Sequence, residues 1–447
     1  MAASPLVELT AVEARDRMAR GDITAEAYID ACIAAVEARD ADVQAWAYFD
    51  PDHARAQARQ LDKQRASGQG LGALHGLPVG IKDIIDTADM PTENGSPLFK
   101  GRQPERDATC VAVLRAAGAV IMGKTVTTEL ANRYPGKTRN PHNLEHSPGG
   151  SSSGSAAGLA AGMFPLALGT QTGGSVIRPA SYCGIHGLKP TLGLISRSGV
   201  LLQSHTLDTV GVYGRSLADL ALITDVLSQY DPSDAVSYER ARPVISDVLE
   251  AGTQKRPKLA FFRSPAWLEA PASARNALEN FVKQLGADCE EVKIPALDDI
   301  MHHHANVMDG ENAGYYGPWF EQNPDAVSPL LAERLRMGAK LPAGDYVRSI
   351  VAREPQYAEV ARVLDQYAAL VTLPSPGPAP KGLASTGAAV FNGMWTYLGV
   401  PCVTLPLMQV DGLPCGVQLV GKRRDEGRLL ATALWLEEQV AEKGVMR

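Results

Sequence analysis

The sequence has no CxxC pair, no continuous apolar stretch of membrane length and no block of like charge. Its six cysteines (Cys32, Cys110, Cys183, Cys289, Cys402 and Cys415) stand far apart in a chain of 447 residues. That spacing argues against a zinc knuckle or a disulfide framework, and reduced, buried thiols in a cytoplasmic protein are the simplest reading. The N-terminal segment through Asp22 alternates charge with apolar residues and lacks a continuous h-region, so neither export nor membrane insertion is expected. With 43 basic against 50 acidic residues the formal charge is −7, and no run of one sign is present. Nucleic acid or an acidic membrane is therefore not the expected partner. There is no internal repeat and no low-complexity tail.

What is present is the composition of a soluble globular enzyme, with 45% hydrophobic and 21% charged residues. Residues 8–67 carry helix-period patterns, broken at Gly21-Asp22 and at Asp50-Pro51. HGLPVGIKDIIDT (His75–Thr87) reads as a short buried strand entering a turn. Asp107–Ala117 reads as a helix, Ala119–Met122 as a buried strand and Ser216–Leu227 as a helix. Residues 229–255 are more polar and irregular, with Pro232 and Pro243, after which KLAFFR restarts a strand. VTLPSPGPAP, VPCVTLPLM and GVQLVG return to strand signals, and an amphipathic helix runs from Glu426 to Lys443. Such alternation predicts one interleaved α/β domain over 1–447, not a string of units. Its parts are N-terminal helices (about 1–70), a core (about 70–225), a mostly helical insertion (about 230–370) and a return to the sheet (about 371–447).

The chemistry concentrates between Ser147 and Pro190, where two Gly/Ser turns are joined by a short helix and an apolar strand. The strand FPLALGT (Phe164–Thr170) leads into Gln171-Thr172-Gly173-Gly174-Ser175. Two glycines let successive N–H groups converge on one point, as an oxyanion requires, and a helix opening at Ser175 adds its dipole. A tight turn with a serine cap explains the same residues. Ser151 lies in GGSSSGS, a linker composition, but one that runs straight into AAGLAAG, whose small side chains favour close packing. Lys82 sits in the apolar run LPVGIKDII. Burial lowers a lysine's pKa and makes it a base near neutrality, whereas pairing with Asp83 or Asp86 makes it structural.

Other patterns fail on context. GAVIMGKT (Gly118–Thr125) fits the phosphate-loop expression, but its four intervening residues are themselves an apolar strand. GSSSG (Gly150–Gly154) centres on Ser152 with no strand before it, against a nucleophile elbow. His302, His303 and His304 cannot all point one way on a helix or strand, so metal chelation is weak there. Cys183 and His186 have no acid partner in the sequence and read as packing residues.

HGLPVGIKDIIDT, TENGSPLF, DATCVAVLRAAGAVIMGKT, NPHNLEHSPGGSSSGSAAGLAAG, LGTQTGGSVIRPASYCGIHGLKPT and SHTLDTVG together resemble the amidase signature family, as do NGMWTYLGVPCVTLPL and DGLPCGVQLVG near the C-terminus. The likeness covers roughly residues 70–225 and 370–435. It implies an α/β fold with a large mixed twisted sheet flanked by helices, and a Ser-cisSer-Lys triad. By motif match Ser175 is the nucleophile, Ser151 the bridging serine after a cis peptide and Lys82 the base. The amides around Thr172, Gly173, Gly174 and Ser175 form the oxyanion hole, with no metal or organic cofactor. The implied activity is a serine hydrolase cleaving the C–N bond of a small-molecule amide or carbamate through an acyl-enzyme. Urethanase, aryl acylamidase, ureide and ester hydrolysis are members of the same range, and a homodimer is compatible with it.

The turn around Arg178 resembles that of malonamidase-type members, where the arginine binds a substrate carboxylate. A salt-bridged structural arginine is the other reading. Residues 300–345 and 375–390 match least and are expected to shape the leaving-group and acyl pockets. There Tyr315, Tyr316 and Trp319 either line an aromatic pocket or pack within the insertion. A different class is the amidotransferase subunit that works on misacylated tRNA. A nucleotide-dependent NTPase rests only on Gly118–Thr125.

Overall fold

The computed structural model of the chain describes residues 4–239, 241 and 244–442. Pro243 and the Lys443 end of the final helix therefore lie outside the described residues. Eleven strands form one sheet: β1 Trp46–Phe49, β2 Pro78–Lys82, β3 Val120–Thr125, β4 Leu166–Gln171, β5 His186–Lys189, β6 Thr209–Gly214, β7 Leu259–Phe262, β8 Cys289–Val292, β9 Ala369–Thr372, β10 Cys402–Val410 and β11 Leu413–Val420. Their order is β1-β3-β2-β4-β6-β5-β10-β11-β9-β7-β8. Pairing is parallel for β2 with β3 and β4, and for β7 with β8 and β9; β4 with β6, β5 with β6, β5 with β10 and β10 with β11 are antiparallel. This is the mixed sheet flanked by helices that the sequence predicts.

The central strands β2 to β6 are buried at every position, because helices cover both faces. Such strands read as continuous apolar runs and lose the polar alternation of a half-exposed sheet. Two strands depart from the sequence reading. Trp46–Phe49 lies inside the N-terminal helical region, between helices Ala25–Val43 and Pro51–Ala66, and pairs with β3. Cys289–Val292 is an edge strand within the insertion, and its Glu290 and Glu291 are the polar edge that discourages further pairing.

The helix Ser153–Ala160 packs the Gly/Ser segment beneath the sheet, with Ser153 to Leu159 all buried. A Cβ on Gly154 would lie 2.1 Å from Ala45 O and 2.4 Å from Val126 N, so only glycine allows this approach. The segment is thus a packing element and not a linker. The phosphate-loop look-alike is also resolved: Val120–Thr125 is β3, with Lys124 fully buried in it. A separate apolar cluster of Leu130, Tyr316, Val327, Leu331, Ala332 and Leu335 fastens the insertion helices to the loop after β3. Among the described residues no helix is long and apolar enough to cross a membrane.

Gly154→Ala is expected to lower stability by roughly 1–3 kcal/mol through overpacking. Gly70→Ala, with nothing near its added Cβ, serves as the control. Thermal unfolding of both variants checks this, and equal melting temperatures would contradict the packing account.

Candidate active site

Lys82 ends β2, in parallel register with Thr125 of β3, and is 0% exposed. Its Nζ donates to Ser151 Oγ at 2.7 Å and to Thr170 Oγ1 at 2.7 Å. Burial pushes its pKa down from 10.5 to about 7, against a smaller upward pull from Asp208. The expected alternative partners are engaged elsewhere. Asp83 lies 3.6 Å from Lys124, and Asp86 takes both Nη atoms of Arg102 at 2.7 and 2.8 Å. Lys124 and Lys189 are also buried and pushed down to about 8, but Lys124 faces Ile85 O at 2.7 Å and Thr92 Oγ1 at 2.5 Å, and Lys189 faces Pro190 O at 2.9 Å. Of the three, Lys82 alone meets a serine hydroxyl.

Ser151 follows a cis peptide from Gly150 and leads into the helix Ser153–Ala160. Its carbonyl accepts from Thr128 N at 3.2 Å, and Arg178 Nη2 donates to Gly150 O at 2.6 Å. Ser152 latches the same loop to β4, where Thr170 N donates to its Oγ at 3.2 Å. The centre of GSSSG is therefore a structural serine.

Ser175 stands on the turn between β4 and the helix Ile177–Cys183. It is 8% exposed, against 1% for Ser151, which makes it the hydroxyl nearer to solvent. Tyr213 Oη donates to Ser175 O at 3.2 Å. Among the described hydrogen bonds none joins Ser175 to Ser151. Ser175 also does not open the helix: the amides of Val176 and Ile177 are taken by Gln171 Oε1 at 2.9 and 3.0 Å.

The turn's carbonyls point into the protein. Thr396 Oγ1 donates to Gly173 O at 2.8 Å, and His304 Nε2 donates to Thr172 O at 3.0 Å. Thr172 Oγ1 in turn donates to Asp208 Oδ1 at 2.5 Å. The N–H groups of Gly173, Gly174 and Ser175 donate to no described group, so they remain available to an incoming oxyanion.

Arg178 is 5% exposed and has no carboxylate within ion-pair distance among the described residues. Among the described residues, the side chain reaches, besides Gly150 O, only Thr386 Oγ1 at 3.5 Å, and its Nε has no partner. A salt-bridged scaffold role thus lacks its acid.

The three histidines diverge as expected: His302 meets Asn306, His303 meets Ser349 and His304 meets Thr172. Cys183 Sγ contacts Pro148 O at 3.5 Å, whereas His186, expected to lack an acid partner, finds one in Glu437 at 2.7 Å, 251 residues along the chain. Tyr316 donates to Leu130 O at 3.1 Å and stacks on Trp319, whose ring meets Phe99 edge-on at 5.0 Å, so both are packing residues that join the insertion to the core. Tyr315 is 38% exposed and lines a cavity of about 470 Å³ with Glu311 and Tyr346.

Sequence reasoning missed Thr170, Asp208, His304, Gln171 and Thr396 as parts of this site. The first two and Gln171 stand in motif segments and could have been flagged. Thr396 likewise stands in NGMWTYLGVPCVTLPL, whereas His304 has no local signal.

The Amidase family model matches residues 27–430, and the chain belongs to that family. It is 34% identical to a glutamyl-tRNA(Gln) amidotransferase subunit from Roseiflexus castenholzii, covering 96% of this chain and 95% of the relative. Among solved structures, it resembles a chain of a vestigial protein complex that bears on the evolutionary origins of an s-triazine catabolic enzyme (TM-score 0.90, 28% identity, 98% and 99% covered). The peptide amidase of Stenotrophomonas maltophilia superposes with a TM-score of 0.85 at 27% identity, covering 98% of each chain.

Lys82 also links stability to pH. Unfolded, it holds its proton up to 10.5; folded, it releases it near 7. Between those values the unfolded state binds more protons, so wild-type stability gains with rising pH from this group. Relative to wild type, Lys82→Met should therefore be most favoured at pH 7 and below, its advantage shrinking toward pH 10. Urea unfolding across that range checks it; a constant difference would contradict the buried neutral amine.

Proposed function

We propose that the chain is a serine amidohydrolase that cleaves the C–N bond of a small-molecule amide or carbamate through an acyl-enzyme. The observation that carries this reading is the buried Lys82 with Nζ 2.7 Å from Ser151 Oγ and a pKa near 7. In its neutral form the amine holds a lone pair for the Ser151 proton. Ser175 Oγ closes on Ser151 in the substrate complex, as catalytic contacts that are loose in the free enzyme commonly do. Ser151 then takes the Ser175 proton while giving its own to Lys82, and Ser175 Oγ bonds to the carbonyl carbon. The negative oxygen lies against the free amides of Gly173, Gly174 and Ser175. The relay runs backward, the leaving nitrogen gains the proton, and the C–N bond breaks. Water enters by the same relay and frees the acid from Ser175.

Arg178 gives the substrate side its chemistry. A buried guanidinium with an unpartnered Nε and no acid beside it suits a substrate bearing a carboxylate. Burial pushes its pKa below the ordinary 12.5, and a bound carboxylate would offset that cost.

A second reading is favoured by the 34% identity to the Roseiflexus castenholzii amidotransferase protein, over 96% of this chain. In that case the same triad would release ammonia for a partner protein working on charged tRNA. Co-purification with partner proteins, and glutamine hydrolysis that depends on them, would select it.

The test is hydrolysis of malonamate, aliphatic amides, anilides and aryl carbamates. Ser175→Ala should lower turnover by roughly 10³–10⁶-fold with folding intact. Lys82→Ala should cost about 10²–10⁴-fold, typical of a lost general base. Wild-type rates should rise with pH through about 7 as Lys82 loses its proton. Arg178→Ala should lose far more on malonamate than on neutral amides; equal losses would assign it to the scaffold. Undiminished turnover by Ser175→Ala would remove the serine mechanism.

A further inference from the structure

An oxyanion hole built on two adjacent glycines has an intrinsic weakness. Gly173 and Gly174 give the turn its shape, but glycine also has the most conformational freedom to lose on ordering. Donors that must reorganise during the reaction stabilise its charge poorly, so something outside the glycines has to hold the turn. Thr172 is the residue just before the pair, and it is gripped at both of its polar ends.

We infer that Asp208 and His304 are positioning residues that hold Thr172 from two sides and so keep the amides of Gly173, Gly174 and Ser175 aimed at the reacting oxygen. The inference rests on the hydrolase reading above.

Sheet register makes the first grip. Gln171 of β4 pairs antiparallel with Thr209 of β6, so Thr172 and Asp208 are the next residues out, opposite one another. Thr172 Oγ1 donates to Asp208 Oδ1 at 2.5 Å. The carboxylate is itself fixed, because Oδ2 accepts Gln203 N at 2.8 Å and Ser204 N at 3.0 Å. Its backbone carbonyl accepts from Arg197 Nη1 at 3.2 Å, and Arg197 is locked to Asp234 by two bonds of 2.8 and 3.1 Å.

The second grip arrives from the helix Ile300–Gln322. His304 is 5% exposed, and burial lowers its pKa to about 4. The neutral ring carries its hydrogen on Nε2, since its partner, Thr172 O at 3.0 Å, can only accept. Turning this carbonyl inward turns the next amide, that of Gly173, outward. The same helix is tied to the Asp208 loop, where Glu311 accepts from Thr206 N at 3.0 Å. Both grips therefore belong to one frame, and one of them comes from the part of the chain least like the family.

The test uses covalent labelling of the full-length protein by an alkyl fluorophosphonate. Ser175 Oγ bonds to phosphorus as its proton passes through Ser151 to Lys82, fluoride leaves, and the phosphoryl oxygen enters the same hole. Labelling rate against reagent concentration separates kinact from KI. Thr172→Val, which keeps the shape and removes the hydroxyl, should lower kinact roughly 10–100-fold, with KI changed by less than about twofold. Thr172→Ser should recover most of that loss. Measured well above pH 7, where Lys82 is neutral with or without the Asp208 charge, Asp208→Asn should lower kinact similarly, and the double variant should be no worse than the poorer single, because both break one contact. His304→Leu should lower kinact, and His304→Gln, which keeps an N–H, should recover part of it.

Wild-type kinact in Thr172→Val, a loss confined to KI, or multiplying losses in the double variant would overturn the clamp while the serine reading stands. No labelling of Ser175 in the wild type, checked against Ser175→Ala, would overturn the serine reading and the clamp with it.

Discussion

The site depends on an ammonium group's aversion to leaving water. At the end of β2, Lys82 is 0% exposed and, among the described residues, meets no carboxylate, only two hydroxyl oxygens at 2.7 Å. Two neutral acceptors repay little of the desolvation cost of a charged amine, so the group sheds its proton instead. Lys124 shows the contrast within the same sheet. Equally buried, it is held by a carbonyl, two threonine hydroxyls and the nearby Asp83, and its surroundings favour the charged form more. Position on neighbouring strands is similar; the partners decide the chemistry.

In the proposed mechanism, the rest of the site presents that amine with a hydroxyl to deprotonate. The tightly packed helix Ser153–Ala160 holds Ser151 over Lys82, and Ser152 ties the loop to β4. One strand along, the turn after β4 directs its carbonyls into Thr396 and His304 and leaves three amides free. In the proposed mechanism, base and oxyanion donors are thus supplied by adjacent strands. A rigid sheet fixes their separation better than loops would.

Much of this was legible in the sequence, for identifiable reasons. Lys82 stood out because a lysine amid LPVGI has no local means of solvation. The Gly/Ser turns stood out because small residues continued into an apolar helix, where a linker would have stayed polar. The phosphate-loop match could be dismissed because its variable residues were a strand. Thr170 and Asp208 stand in motif segments, but their contacts with Lys82 and Thr172 were not legible there, and His304 was not legible at all. The first two act through cross-strand placement, which requires knowing that β4 pairs with β2 on one side and with β6 on the other. His304 acts across 132 residues of sequence, and no local pattern distinguishes it from His302 and His303. Strands β1 and β8 escaped for simpler reasons: one is four residues between two helices, and the other carries Glu290 and Glu291 at the sheet's edge.

The central claim is that Lys82 is uncharged near neutral pH. Carbon NMR of the protein with ¹³Cε-labelled lysine, the Lys82 signal assigned by its loss in Lys82→Met, measures that directly. The account predicts a titration midpoint near the value of about 7 that burial imposes. A midpoint close to 10.5, the ordinary value for a lysine, would contradict it.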